Sequence, residues 1–375
     1  MLFLLLTNIA LSQKLISYYP MWAERPGGPS PMEVDFGGID FVVHFYNGTP
    51  VDPSTPPYFK PVINKVYGET GGKTDSILIQ HWYTDCGPGC FPVNYQDSLI
   101  HRVHQAGGKI LLDIQEVDPT NLNQLVLDSS KSQLFVDAVT SYINRKGYDG
   151  VEIDVESWST KPGPRSGYDM FLRLFRRRLG QKTLAVSPST GAWSDWNPFS
   201  PVDYWIIQCY EFHFAWNSIT QQNVNWHGSP LFSNGIPPGV NGQSVSTLGP
   251  PQWVESGFKP SSIVIGIPTY GRILSGSRDL FQPWNGEQTY SKYADLKKMF
   301  GERKWDENAK VPYIVGDINK FGTYEDSLSV AYKIDFVRAK GYAGIMLYDM
   351  EMDWPDHELH RHAKRILSDH NKRAK

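Results

Sequence analysis

The amino-acid sequence predicts an α/β fold, a (β/α)8 barrel with a short α+β insertion between the seventh strand and the last helix. Three observations predict it. Short β-branched apolar runs alternate with longer amphipathic ones, the pattern of parallel strands joined by helices. Residues 97–114, 132–155 and 326–349 each pass from an amphipathic helix pattern through a glycine stop into a short apolar strand. Roughly eight such units in a chain of this length fit a closed barrel better than an open doubly wound sheet. No glycine-rich phosphate loop follows any strand, so a nucleotide-binding fold has little support.

Taken in order, the strand-like runs outside those three units are KLISYY (14–19), IDFVVHFY (39–46), SILIQHW (76–82), TLAVSPS (183–189), VDYWIIQCY (202–210) and SIVIGIPTY (262–270). Two of the repeated units end in nearly the same string, RKGYDGVEIDV and AKGYAGIMLYD. The run FLRLFRRRLGQK (171–182) reads as a helix with an apolar stripe and a solvated arginine face. Long stretches rich in Pro, Gly and Trp cover 217–251 and 274–322, and the second, lying between strongly patterned strands, is the expected insertion.

A net charge of −3 carries no electrostatic footprint for nucleic acid or an anionic membrane. The chain has 12 Trp, 20 Tyr and 18 Phe, more than packing alone usually asks for, which points to flat contact surfaces or a large aromatic core. The N-terminal MLFLLLTNIALSQK is too short an apolar run to span a bilayer. Ala10-Leu11-Ser12 puts small residues where signal cleavage needs them, so residues 1–12 are expected to be a signal peptide and 13–375 a secreted domain. Cys86 and Cys90 in CGPGC could close a small surface disulfide, Cys209 in an apolar strand reads as a buried thiol, and Asn47 in NGT is a possible glycosylation acceptor.

The chemistry concentrates in YDGVEIDVES (148–157). Side chains in a strand alternate faces, so Glu152, Asp154 and Glu156 share one face while Val151, Ile153 and Val155 share the other. In a barrel the apolar face packs under the helices, and the carboxylates point inward and up to the C-terminal mouth, where barrel enzymes keep their chemistry. The bland alternatives are an edge strand with a solvated acidic face, or a cation site. A β-branched run following a buried helix argues against an edge, and three carboxylates without carbonyl-rich loops make a poor calcium cage. Like charges this close cannot all ionise, so at least one proton is retained near neutral pH, as a general acid requires.

These residues resemble the signature of glycoside hydrolase family 18, the chitinases and their relatives: Asp-Gly-x-Asp-x-Asp-x-Glu, matched by DGVEIDVE at all but one fixed position. The resemblance covers nearly the whole chain. SYYPMW is similar to the family's first-strand segment and places Tyr18 and Trp22; VVHFYNG places Phe45; QCYE stands where the family has Met-x-Tyr-Asp and places Gln208, Tyr210 and Glu211. IVIGIPTYGR places Tyr270 and Arg272, WDENAKVPY resembles the end of the family's insertion, and the segment through GIMLYDMEMD places Met346 and Tyr348.

The resemblance implies retaining hydrolysis of β-1,4 bonds between N-acetylglucosamine units, an exception to the two-carboxylate scheme in which the substrate's own acetamide is the nucleophile. Glu156 would be the general acid, Asp154 would orient the acetamide and stabilise the oxazolinium, Tyr210 would hydrogen-bond its carbonyl, and Glu152 would lie deepest. Trp22, Phe45, Trp193 and Tyr348 are candidate sugar platforms, with core packing as the alternative for each. Tyr18, Gln208, Glu211, Tyr270, Arg272 and Met346 are candidate substrate contacts. The expected partner is an N-acetylglucosamine polysaccharide or oligosaccharide, bound by a monomer with no cofactor, metal, nucleic acid or membrane.

Four positions depart from the family's pattern. Glu152 replaces Asp, Asp113 stands in place of a Ser at the end of the third strand, Glu211 replaces Asp, and Tyr348 replaces Trp. Asp113 and Glu152 are expected to be neighbours on adjacent strands and to share a proton. Two alternatives stay open: a chitin-binding lectin on the same fold, or an endo-β-N-acetylglucosaminidase or peptidoglycan-acting relative.

Overall fold

The computed structural model describes residues 12–20, 23, 28–45, 95–116, 126–155, 165–213, 224–238, 240, 242–284, 288–298, 301–316 and 320–373. The expected signal peptide, the strand at 76–82, Trp22, Asn47, Cys86, Cys90 and Glu156 lie outside the described residues, apart from Ser12 at the end of the first of these.

Seven strands run in chain order, β1 (Lys14–Pro20), β2 (Phe41–Phe45), β3 (Lys109–Glu116), β4 (Gly150–Val155), β5 (Thr183–Pro188), β6 (Tyr204–Ile207) and β7 (Ile263–Pro268). Five more follow, β8 (Tyr270–Ser275), β9 (Gln288–Lys292), β10 (Glu302–Asp306), β11 (Val311–Gly316) and β12 (Lys320–Thr323), before β13 (Gly344–Tyr348). Strands β1 to β7 pair parallel with their neighbours, and β13 pairs parallel with both β7 and β1, closing the predicted barrel. Strands β8 to β12 form a separate five-stranded antiparallel sheet, β10-β11-β12-β8-β9.

The helices are α1 (Gln96–Gln105), α2 (Ser129–Lys146), α3 (Arg165–Leu179), α4 (Pro250–Glu255), α5 (Tyr293–Leu296), α6 (Ser327–Lys340) and α7 (Glu358–Arg373). The nearly identical strings around Gly147 and Gly341 do the same work. Each glycine ends its helix in the left-handed region, at φ 91° and 67°, where a side chain would be strained. At their other ends, Asp128 and Asp326 accept hydrogen bonds from the first free amides of α2 and α6.

Alternation along β4 sorts its side chains as the sequence implies. Val151 and Ile153 are buried in the outer core, among Phe135, Val139, Phe171 and Phe175 of α2 and α3. Full burial of such aliphatic side chains stabilises by about 1.5–3 kcal/mol each. The inward side of the barrel is a smaller cluster of Ile16, Tyr18, Phe41, Val43, Phe45, Leu111, Ala185, Ile206, Val264 and Met346.

The arginine run on α3 is only partly a solvated face. Arg173, Arg177 and Arg178 are exposed, but Arg176 is half-buried and works as a clip. Its guanidinium donates to the Asp203 carboxylate at 2.6 Å and to the carbonyls of Pro201, Gly180 and Lys182. Its contacts with Pro201 and Asp203 reach 25 and 27 positions along the chain, so helical periodicity could not show them.

The insertion is rooted directly in the barrel, because β8 starts at Tyr270, with only Thr269 between it and the end of β7, and therefore before residue 274. A buried ion pair fixes its far end. Lys333 of α6 donates to Glu325 at 2.5 Å and to the Ser229 carbonyl at 2.7 Å, with the two side chains 0% and 2% exposed. Removing one partner strands a charge in a dry interior. Lys333→Met is therefore expected to destabilise the fold by about 3–5 kcal/mol, and the double variant Lys333→Met/Glu325→Leu by clearly less. Urea titrations of both variants measure this, and equal losses would contradict it.

Candidate active site

The C-terminal ends of the strands bring the candidate residues together. Glu152 and Asp154 are buried on the inward face of β4, opposite Asp113 and Gln115 of β3 on one side and Ala185 and Ser187 of β5 on the other. Gln208, just past β6, donates its amide Nε2 to Asp154 Oδ1 at 3.1 Å. Tyr18 reaches across from β1 to the Ser187 hydroxyl at 2.7 Å. Burial, together with the charges of Glu152 and Asp154, pushes the Tyr18 hydroxyl well above its ordinary pKa, so it stays protonated as a donor. Glu152 is pushed up to about 7 by burial, against the lowering influence of hydrogen bonding with Asp113, Ser187 and Tyr18.

Tyr18, which feels both carboxyl groups, also belongs to an aromatic wall. Tyr348 ends β13 with its ring 5.4 Å from Tyr18, 5.6 Å from Phe45 and 6.0 Å from Tyr210, the last nearly parallel at 29°. Tyr18 and Phe45 meet edge to face at 5.3 Å. Phe45 and Tyr18 are fully buried, whereas Tyr348 and Tyr210 keep part of their surface in the mouth. Phe45 therefore backs the wall and Tyr348 presents it. Met346 lies one inward step below, buried in the barrel. Gly266 on β7 makes room, since a Cβ there would come within 3.0 Å of the Tyr210 ring and 3.1 Å of the Met346 methyl.

Beside the wall, three donors converge on one oxygen. Glu211 Oε1 accepts from the Tyr270 hydroxyl at 2.9 Å, the Tyr290 hydroxyl at 2.9 Å and Arg272 Nη2 at 2.5 Å. The Arg272 guanidinium also lies 3.7 Å from the centroid of the Tyr290 ring and donates to its hydroxyl. The Glu211 backbone sits at φ 58°, a conformation that costs a non-glycine residue on the order of 1 kcal/mol or more and persists where surrounding contacts hold it. Beside this node a small, partly open cleft is lined by Tyr210, Glu211, Tyr270, Arg272, Thr323 and Glu325.

Sequence reasoning missed Tyr290 and Ser187. Tyr290 belongs to the insertion and lies 79 positions from Glu211. Ser187 falls two positions before the Ser189–Gln208 bridge and shows itself through Tyr18 and Glu152, partners from other strands. Trp193 lies in a short 3-10 helix, Ala192–Asp195, before β6.

The arrangement can bind a flat polar ring against Tyr348 and Tyr210, in a mouth that also holds a buried carboxylate at Asp154 and an anchored carboxylate at Glu211. The chain matches the family model for glycosyl hydrolases family 18 over residues 60–353. It is 22% identical to chitinase A1 of Niallia circulans, over 91% of this chain and 57% of that one, so it spans little more than half of that relative's length. Its fold is similar to that of chitinase ChiW from Paenibacillus sp. str. FPU-7, with a TM-score of 0.74 and 20% identity over 95% of this chain and 33% of that one. A similar likeness holds for a chitinase-like agglutinin from Robinia pseudoacacia, with a TM-score of 0.71 and 16% identity over 94% of this chain and 99% of that one.

Tyr290→Phe removes one donor to Glu211 and keeps the ring. It is expected to destabilise the fold by about 1 kcal/mol, the net contribution of one hydrogen bond, as measured by urea titration. An unchanged midpoint would show that the Tyr290 hydroxyl does not support Glu211.

Proposed function

The chain belongs to glycosyl hydrolase family 18, and on that premise we propose that it is a secreted, chitinase-type hydrolase. It cleaves β-1,4-linked N-acetylglucosamine oligosaccharides or polysaccharides with retention, using the substrate's acetamide as nucleophile. The observation that carries this reading is Asp154, a buried carboxylate held by Gln208 in the same barrel mouth as the partly open rings of Tyr210 and Tyr348, with Tyr18 close to both. A carboxylate fixed in a water-poor site beside an aromatic wall is placed to stabilise a positive charge developing on the bound ring.

Each step has a residue. Tyr348 and Tyr210 offer the faces against which the sugar at the cleaved bond lies, and Glu211 accepts from a hydroxyl. Glu156, the last carboxylate of the strand signature, protonates the leaving oxygen. The acetamide oxygen then attacks the anomeric carbon, and the resulting oxazolinium is paired with Asp154 and hydrogen-bonded by Tyr210. Glu156, now ionised, takes a proton from the water that opens the ring and restores the configuration.

A lectin on the same fold is the competing reading, because an agglutinin shares the architecture. The presence of Glu156, Asp154 and Tyr210 together favours turnover over binding alone. The test pairs chitin oligosaccharides with a high-mannose glycoprotein and compares the natural chain with Glu156→Gln. The natural chain is expected to cleave the chitin oligosaccharide, and Glu156→Gln to bind it with turnover reduced about 10²–10⁴-fold. Binding without cleavage by the natural chain would establish the lectin, and cleavage of the glycoprotein alone an endoglycosidase.

A further inference from the structure

Asp113 and Glu152 face each other across the parallel pair β3–β4, 4% and 0% exposed. Neighbouring strands lie about 4.8 Å apart, so the two carboxyl groups meet inside the barrel. Neither Glu152 oxygen has a donor at good hydrogen-bonding geometry, although Asp113, Ser187 and Tyr18 all lie close enough to bear on it.

Among the described residues, the inward positions of the neighbouring strands carry mostly neutral side chains. Tyr18 comes from β1, Phe45 from β2, Asp154 from the next inward step of β4, Ser187 from β5, Gln208 from beyond β6, and Met346 and Tyr348 from β13. Among the described residues, Lys14 and Lys109 are the only cations on inward-parity strand positions, and both sit at the opposite rim. Lys14 pairs with Asp40 at 2.9 Å, Lys109 lies over the Phe41 ring, and Ile16 and Leu111 intervene. Two adjacent ionised carboxylates there are far costlier than one carboxylate and one acid.

We propose that Asp113 and Glu152 hold one proton between them and act as a single anionic unit that sets the charge felt by Asp154 and Glu156. Asp113 is thereby a positioning residue for the reaction. The proposal rests on the glycosidase reading for its kinetic arm only. While the proton is held, it bridges an oxygen of each residue and the unit carries one negative charge. Its loss to solvent leaves two. The second charge, about 7 Å from Asp154, holds protons on the outer acids to higher pH by about one unit.

The sign for stability follows. Folding raises Glu152 from 4.5 to about 7, chiefly by burial. Between those values the folded chain binds more protons than the unfolded one, so stability falls as pH rises through that window. Asp349, after β13, is also pushed up to about 7 by burial, so the informative quantity is the difference between variants, in which its contribution cancels.

The experiment measures Tm and kcat/KM on chitin oligosaccharide against pH for the natural chain, Asp113→Asn and Glu152→Gln. In Asp113→Asn the remaining carboxyl ionises readily, and the unit keeps one charge at every working pH. The alkaline limb of kcat/KM is expected to move down by about one pH unit, and the fall of Tm between about pH 4.5 and 7 to flatten in both variants. A uniform loss of Tm or rate at all pH values, with limb and slope unmoved, would overturn the proposal. Should Asp113→Asn fail to fold, Glu152→Gln decides by the same slope. The thermal arm needs no substrate, so an inactive chain with a flattened profile keeps the shared proton and overturns the activity alone.

Discussion

A barrel of eight parallel strands has a closed interior, and β4 sends two carboxyl groups into it while β3 adds a third. Among the described residues, the side chains nearest that charge are arranged around it. Gln208 and the hydroxyls of Tyr18 and Ser187 are placed to donate, the aromatic residues exclude water, and the lysines of inward parity stay at the far rim. Water exclusion strengthens each interaction at Asp154 and raises the cost of any charge left without a partner. The same property that makes the site chemically useful makes its protonation state tightly constrained.

The second organising element is the Glu211 node. One barrel residue in an unfavourable backbone conformation is held by two residues that begin the insertion and one from deeper within it. The insertion is thus part of the site as well as a wall beside it. Its own hold on the barrel runs through β8 at one end and the buried Lys333–Glu325 pair at the other.

Much of this was legible in the sequence, for identifiable reasons. The two-residue period of VEIDV sorts its carboxylates and aliphatic side chains onto opposite faces whatever the helices do, and the family resemblance aligns Asp113 with Glu152, the register that β3 and β4 adopt. The glycines at 147 and 341 announce their helix ends through local sterics. Tyr290 and Arg176 were not legible in their roles, since both act on partners set by tertiary packing: a carboxylate 79 positions away and carbonyls from two separate loops. Periodicity describes a residue's own element and says nothing of what that element will be laid against.

The short step from β7 to β8 has a consequence for modularity. Tyr270 and Arg272 sit on the first strand of the insertion, yet both bond Glu211 in the barrel mouth. Exchanging the whole insertion with a relative's would therefore replace part of the ligand site as well as the groove wall. A graft meant to alter only groove depth has to be cut after Ser275 on one side and before Lys320 on the other, leaving β8 and β12 paired as the native stem, and has to keep a tyrosine at position 290 to bond Glu211. The natural unit of exchange is smaller than the visible sheet, and its boundary lies inside two strands' partnership instead of at the sheet's edge.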